Sequence, residues 1–528
     1  MSDRRQSFIS GAAILAFAVL LTKLIGALYK IPLGNLLDSD GMAHFYVAYN
    51  IYSLLLTLST AGLPLALSRM VSEAETLGHE NQKHRIFHTA TGLLLTVGVI
   101  CAAGMYLLAA PLSKLLHDTQ AETAVRLLSP AVLFVCLMSV IRGYTQGQGN
   151  MRPTAASEVI ESLCKSVAGF LLAWLLLRRG YPRHIAAAGA IAGVTIGTAA
   201  ALLALVIYLL GRRGRRPSAD VPERRRDILR RLLQIGIPIT LGACGMSLLN
   251  LLDTSLVLGT LQRRLGCSEE LAATLYGQYT YGMNLFTLPV SFIFPLTISL
   301  IPAISAARAQ QNLPSARRHT EMALRITALL VLPAGAGLSV LAGPILHLLY
   351  PNVPETAEAA AYHLTVLGIA SIFVCLMSLT NGILQAYGRE YVPIFTLAAG
   401  GLVKILSNYL LVGDPVIGIH GAPWSTLLCY GLITVLNFIA IRYVVPRDTA
   451  LLRGFLRPAL ATALMAVAAR SGYGLFCRVM SFRAAVLPAI LLAVIVYGVL
   501  ALALGAVRRE DVMGFPHGEK LAQILKLH

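Results

Sequence analysis

GRRGRRPSADVPERRRDILRR, residues 211–231, decides how the rest of the chain is read. Nine of its 21 residues are arginine, and it separates two long apolar arms. Arginine packed into a loop between membrane spans is held on the cytoplasmic side, so this stretch orients the chain. The arms it joins repeat each other. Phe134-Val-Cys-Leu-Met-Ser139 returns letter for letter as Phe373-Val-Cys-Leu-Met-Ser378. In the same register Gly143 matches Gly382, Gln146 matches Gln385, Gly149 matches Gly388 and Lys165 matches Lys404. A second, slightly shorter offset pairs Pro64-Leu65 with Pro295-Leu296 and His88-Thr89 with His319-Thr320. Such duplication predicts two homologous helical bundles tethered by the arginine loop.

Hydrophobic residues fill 56% of 528 positions and charged ones 13%. Mean hydropathy is +0.70. A soluble fold of this length cannot bury that much apolar surface, so the chain is read as an all-α polytopic membrane protein. About fourteen spans are expected: two repeat-related six-helix lobes and two C-terminal helices. The predicted divisions are 1–210 (N-terminal lobe), 211–231 (basic linker), 232–443 (C-terminal lobe) and 444–528 (two further spans and a tail). The net charge of +18 does not point to nucleic acid, because the cations gather at span ends. With the N-terminus inside, 27 of the 43 Lys and Arg fall in cytoplasmic segments, and both termini are expected in the cytoplasm. Arg178-Arg179…Arg183 is a basic loop on the opposite side. The tail, Gly518–His528, has apolar residues at helical spacing. It is read as a surface helix or a frayed end. Eight scattered cysteines without a CxxC pair, and His84/His88 without a third ligand, predict neither disulfides nor a metal site. The loops are short, and no HExxH, GxSxG or phosphate-loop motif is present, which argues against an enzyme.

An ionisable side chain at mid-bilayer costs about 2.5–3.5 kcal/mol, so each needs a partner, a wet cavity or a task. Eight stand out within predicted spans: Lys23, Arg69, Glu158, Glu161, Lys165, Asp253, Arg325 and Lys404. Cations outnumber carboxylates, which suits an anionic cargo. Lys23, Lys165 and Lys404 lie near the midplane by helical rise. Glu161 stands four residues before Lys165 on one face, with Glu158 a turn earlier. Either these carboxylates neutralise Lys165, or Lys165 faces a cavity. Lys404 has no carboxylate on its own helix. Arg69 and Arg325, near the cytoplasmic ends, are expected to snorkel, with headgroup steering as the alternative. Lys23 and Asp253 occupy nearly equivalent places in the two arms. A gating bridge and a fixed structural bridge are both open. Pro64, Pro289, Pro295, Pro302 and Pro333 are expected to interrupt spans.

Ile9-Ser-Gly…Thr22-Lys23-Leu-Ile-Gly26…Lys30-Ile-Pro32, Leu252-Asp253-Thr254 and Leu288-Pro289…Ile301-Pro302-Ala-Ile-Ser305 occur in that order. In these features the chain resembles the stage V sporulation protein B branch of the multidrug/oligosaccharidyl-lipid/polysaccharide exporter superfamily, which includes lipid II flippases. The resemblance implies two six-helix lobes around a central cavity and alternating access. It implies a bacterial plasma-membrane flippase that turns an undecaprenyl-diphosphate-linked glycan from the inner to the outer leaflet, beside the cell-wall synthesis machinery. It carries a cationic role to Lys23 and Lys30. Where lipid II flippases place an arginine before the proline of span eight, this chain has Asn284. No cofactor is expected, and the drive would be Na+, H+ or the membrane potential. The rivals are a cation-coupled multidrug extruder, which would need dominant cavity carboxylates, and a membrane enzyme of lipid-linked sugar metabolism, which would need a catalytic carboxylate or His cluster near a loop.

Overall fold

The computed structural model describes residues 2–211, 218–445 and 453–508. The predicted tail helix and the first arginines of the linker lie outside them. In hydrocarbon every backbone N–H and C=O must be satisfied within the segment, and the described residues accordingly form helices and no strands. Among the described residues twelve stretches are long and apolar enough to cross a membrane, against the fourteen expected. The first of them runs from Phe17 to Thr76. At 1.5 Å per residue its 60 residues far exceed one ~30 Å crossing.

Contacts divide the chain into two compact units, 1–277 and 278–528. The first unit begins with α1 (Ser2–Thr60), followed by α2 (Leu63–Thr76), α3 (Glu80–Leu107), α4 (Ala109–Leu115), α5 (Glu122–Gly147), α6 (Arg152–Arg178), α7 (Arg183–Gly211) and α8 (Arg225–Arg263). It closes inside α9 (Glu269–Phe286). α1 merges two expected spans across a kink at Asp38, whose φ of 59° is left-handed for a non-glycine residue. Leu33, Leu37, Met42 and Ala43, on either side of the kink, are fully buried. α8 follows the arginine loop in sequence, yet it packs on α1, α2 and α3. Ile228 and Leu232 of α8 join a core with Leu67, Val71, Ile86 and Val140. Contact units and repeat lobes are thus different divisions of the chain.

The second unit takes in the rest of α9 and then α10 (Leu288–Ala309), α11 (Leu313–Val340), α12 (Ala342–Leu349), α13 (Pro354–Ala386), α14 (Val392–Ser407), α15 (Gly421–Val444), α16 (Arg453–Phe476) and α17 (Val486–Ala503). Met465 and Ala469 of α16 and Ala493 of α17 pack with Leu341 at the end of α11. The same pairing recurs in both units: α3 on α5, α5 on α7 and α6 on α7 in one, α11 on α13, α13 on α15 and α14 on α15 in the other. The identical hexapeptides lie in α5 and α13, at equivalent places in this scheme.

Small residues set the closest crossings, as expected where lipid gives no hydrophobic drive between helices. A Cβ on Gly193 of α7 would stand 2.4 Å from the Gly169 backbone of α6. One on Gly335 of α11 would meet the Gly368 carbonyl of α13 at 2.6 Å. Two of the prolines interrupt their expected spans by opening a new helix, the preceding one ending just before each. Pro64 and Pro289 sit in the first turn of α2 and α10, where the missing N–H costs nothing, so they begin helices rather than bend them. Pro333 does lie inside α11.

Candidate functional site

In the first unit the cations expected from sequence gather where α1 and α6 meet, with Arg142 of α5 beside them. α1 is pinned to α6 there: the Ser162 hydroxyl donates to the Thr22 carbonyl at 3.3 Å, next to Lys23. Tyr49, further along α1, lies in the field of Lys165, Lys30 and Lys23. Lys30 holds its ammonium 4.9 Å from the centroid of the Tyr46 ring, a cation–π contact. The buried Tyr29 and Tyr46 hydroxyls have no hydrogen-bond partner among the described residues. Lys30 and Lys165 are half-buried and Lys23 is exposed.

Lys165 is not neutralised by its helical neighbour. The Glu161 carboxylate accepts from Arg142 Nη2 at 2.9 Å, while Arg142 Nε donates to Ser157 Oγ at 2.9 Å. Glu158 lies in the field of the same arginine. Of the two arrangements open from sequence, the i,i+4 pairing is not the one formed: Glu161 pairs between α5 and α6 instead. Arg142 was missed because it looks like a loop cation at the start of a Gly-rich turn. It is instead inside α5, one helical face away from Glu161.

No ion pair joins Lys23 to Asp253 among the described residues. Asp253 is 4% exposed in α8, while Lys23 faces outward from α1. Its neighbour Thr254 accepts from Asn50 Nδ2 at 2.8 Å and shares a hydrogen with the Tyr276 hydroxyl at 2.9 Å. The Lys23–Asp253 bridge that the sequence left open is absent among the described residues, with Lys23 exposed and Asp253 buried. Arg69 is exposed and pairs with Glu73, which also holds Arg231 of α8. Arg325 departs from expectation: it is 7% exposed and lies beside Gly454 of α16, buried in protein rather than reaching outward.

In the second unit Lys404 of α14 is 2% exposed. Its ammonium donates to Thr426 Oγ1 at 3.2 Å and sits 5.8 Å from the Tyr430 ring. Thr426 is shared with the Tyr279 hydroxyl at 2.9 Å. Asn284 is buried, and neither atom of its carboxamide has a partner among the described residues. Orphaned buried groups of this kind mark a place where water or a ligand belongs.

The chemistry available is anion binding. In the first unit Lys23, Lys30, Lys165 and Arg142 stand against two carboxylates, of which Glu161 is already paired. Among the described residues no group of three or more His, Cys, Asp or Glu has the arrangement of a metal site.

Comparison with known proteins follows the same line. A family described as "Polysaccharide biosynthesis protein" matches residues 8–308, and a second, described as MatE, matches residues 238–410. The lipid II flippase MurJ of Bacillus subtilis (strain 168) is 25% identical over 456 residues, covering 82% of each chain. Stage V sporulation protein B of the same organism is 26% identical, over 84% of this chain and 85% of that protein. A solved structure of lipid II flippase MurJ in an inward closed conformation covers 93% of this chain and 98% of its own, with TM-score 0.68 at 13% identity. At that identity the likeness is one of fold.

Proposed function

The chain belongs to the polysaccharide biosynthesis protein family of the multidrug/oligosaccharidyl-lipid/polysaccharide exporter superfamily, and on that footing we propose that it flips a polyprenyl-diphosphate-linked glycan across the bacterial plasma membrane. It is a multi-pass transporter of that superfamily. The proposal concerns its cargo, its direction (inner to outer leaflet) and the residues that hold the headgroup.

One observation carries the reading: Arg142 takes Glu161, and Lys165 is left beside Lys30 with no carboxylate on it. Two ammonium groups repel each other in a low-dielectric site and gain most from an anion placed between them. A diphosphate brings about two negative charges and several acceptor oxygens, and charge-assisted hydrogen bonds are the strong ones. The unpartnered Tyr46 hydroxyl adds a donor next to Lys30. The sugar would travel through the wet interior while the polyprenyl chain stays in lipid. A multidrug extruder carrying cations calls for dominant carboxylates in the same place; here Glu161 is occupied by Arg142, and Glu158 stands against Lys23, Lys30 and Lys165.

The test is binding of lipid II to the purified protein in detergent. Lys165→Met and Lys30→Met should each weaken it about tenfold or more, since a hydrogen bond to a charged group is worth roughly 1.5–3 kcal/mol. Lys→Arg at either site should retain part of the affinity, because the charge survives and the geometry changes. Unchanged affinity in both methionine variants would remove the lysines from the site.

A further inference from the structure

One face of α8 lines an open groove of about 780 Å³, a volume in the range of small-ligand sites. Ile228 and Leu232 of the helix turn inward to the core shared with α2, α3 and α5. Two other stripes face the groove. Arg226, Arg230 and Gln234 stand four residues apart along one, and Leu229, Leu233 and Ile237 along the next. The groove therefore changes character along its length. Its mouth carries Arg224, Arg226 and Arg230 against the single carboxylate of Asp227. None of these four side chains makes an ion pair or hydrogen bond among the described residues. Arg231, next on the helix but outside the groove, does have its carboxylate: Glu73 of α2, at 2.5 Å. One turn beyond Arg230, Gln234 offers its amide N–H donors, and the wall then becomes apolar at Ile237 and Pro238. The mouth is held in place. Arg85 of α3 donates to the carbonyls of Pro222 and Glu223, at 3.3 and 3.2 Å, immediately before Arg224.

We propose that this groove binds an anionic phospholipid, with the phosphate on Arg226 and Arg230 and an acyl chain along Leu233 and Ile237. The site uses none of the lysines given to the cargo above and stands whether or not that reading holds. Three features select the ligand. Guanidinium groups without a carboxylate take phosphate oxygens through paired, charge-assisted hydrogen bonds. The apolar stripe that follows them has nothing to offer a free phosphate and matches hydrocarbon. Gln234 lies between the two, about 6 Å along the helix from Arg230 at 1.5 Å per residue. Beneath its phosphate a glycerophospholipid presents ester carbonyls, which accept from an amide N–H. A polyprenyl phosphate presents hydrocarbon at once. Order along the groove, from arginine to amide to apolar wall, is the order of phosphate, ester and chain. On the topology expected from the arginine loop the lipid comes from the inner leaflet, where basic pockets of membrane proteins hold such headgroups. Because the mouth is docked on α3 in advance, little ordering is left to be done on binding.

Native mass spectrometry of the purified full chain tests this, with phosphatidylglycerol or phosphatidylcholine titrated into the detergent. The wild-type protein should hold phosphatidylglycerol about tenfold or more tightly than phosphatidylcholine, and Arg226→Gln/Arg230→Gln should remove that preference. Arg225→Gln serves as the control: it deletes an exposed arginine of the same turn that does not line the groove, and should leave the preference intact. All three arginines are exposed and outside any ion pair among the described residues, and an unchanged melting temperature in phosphatidylcholine checks that each variant is folded. Competition then identifies the ligand. Millimolar inorganic phosphate should not displace the lipid, and undecaprenyl phosphate should need about tenfold more than phosphatidylglycerol to do so. A preference that survives the double change, or one lost equally in Arg225→Gln, would mean that general surface charge attracts the lipid, and overturns the site. Displacement by inorganic phosphate overturns the lipid, and equal competition by undecaprenyl phosphate overturns the phospholipid assignment.

Discussion

At the scale of single residues the account turns on which cation owns which carboxylate. Arg142 holds Glu161 through a 2.9 Å contact and is itself braced by Ser157. Remove it and Glu161, one turn before Lys165 on α6, loses its partner and becomes free to pair along the helix. Arg142→Met is therefore expected to lower lipid II flipping about tenfold or more without touching the lysines. Adding Glu161→Gln should restore much of it, because the competing carboxylate is gone. Flipping rates in proteoliposomes for the two variants check this, and failure of the second change to rescue would show that Arg142 acts otherwise. The sequence placed Lys23, Lys30, Lys165 and Lys404 as cations of interest from their depth and from family resemblance. It could not show the α5–α6 pair, because spacing reports neighbours along one helix and Arg142 comes from another. For the same reason the Lys23–Asp253 bridge, drawn from repeat arithmetic, does not form.

At the scale of elements, the conserved pattern of helix pairing in the two units is what brings Lys165 and Lys404 to matching helices, α6 and α14. Hydropathy found these helices because each is a long apolar run. It read two spans along α1 because Asp38, Asp40 and Pro32 interrupt the run, and the backbone does leave the helical conformation at Asp38. The arginine loop, read from sequence as a tether, has a fixed end. Asp220 accepts from the backbone N–H groups of Asn81 and Gln82 at 3.0 and 2.8 Å, capping the start of α3, and the Glu223 N–H donates to Gln82. Desolvation works against the charged form, yet hydrogen bonds from Ser218, Asn81 and Gln82 outweigh it and hold the Asp220 carboxyl below its ordinary range. A depressed folded value means that the docking contribution is present above about pH 4 and is lost as pH falls through the lower, folded value. Asp220→Ala should release the loop at neutral pH, read as faster trypsin cleavage at its arginines with the rest of the chain intact. Equal cleavage rates would mean the cap does not hold the loop.

At the scale of the whole molecule, charge bias sets which way the transporter faces. A cysteine placed at Ser218, with native thiols masked, should be silent to an impermeant reagent in whole cells, and one at Asp414 should label. Ready labelling at 218 would invert the topology and with it the direction of transport. Helix content, repeat and superfamily were all legible in the sequence, since they rest on composition and on order along the chain. The proposed cargo site was legible only as a set of lysines, since its sign depends on contacts between helices. The most direct test of that sign is leaflet reversal itself. Fluorescent lipid II loaded in the inner leaflet of proteoliposomes should become accessible to an external quencher with the wild-type protein, and at least tenfold more slowly with Lys165→Met. Equal rates for the two proteins, or inert lipid II alongside export of a cationic dye, would contradict the account.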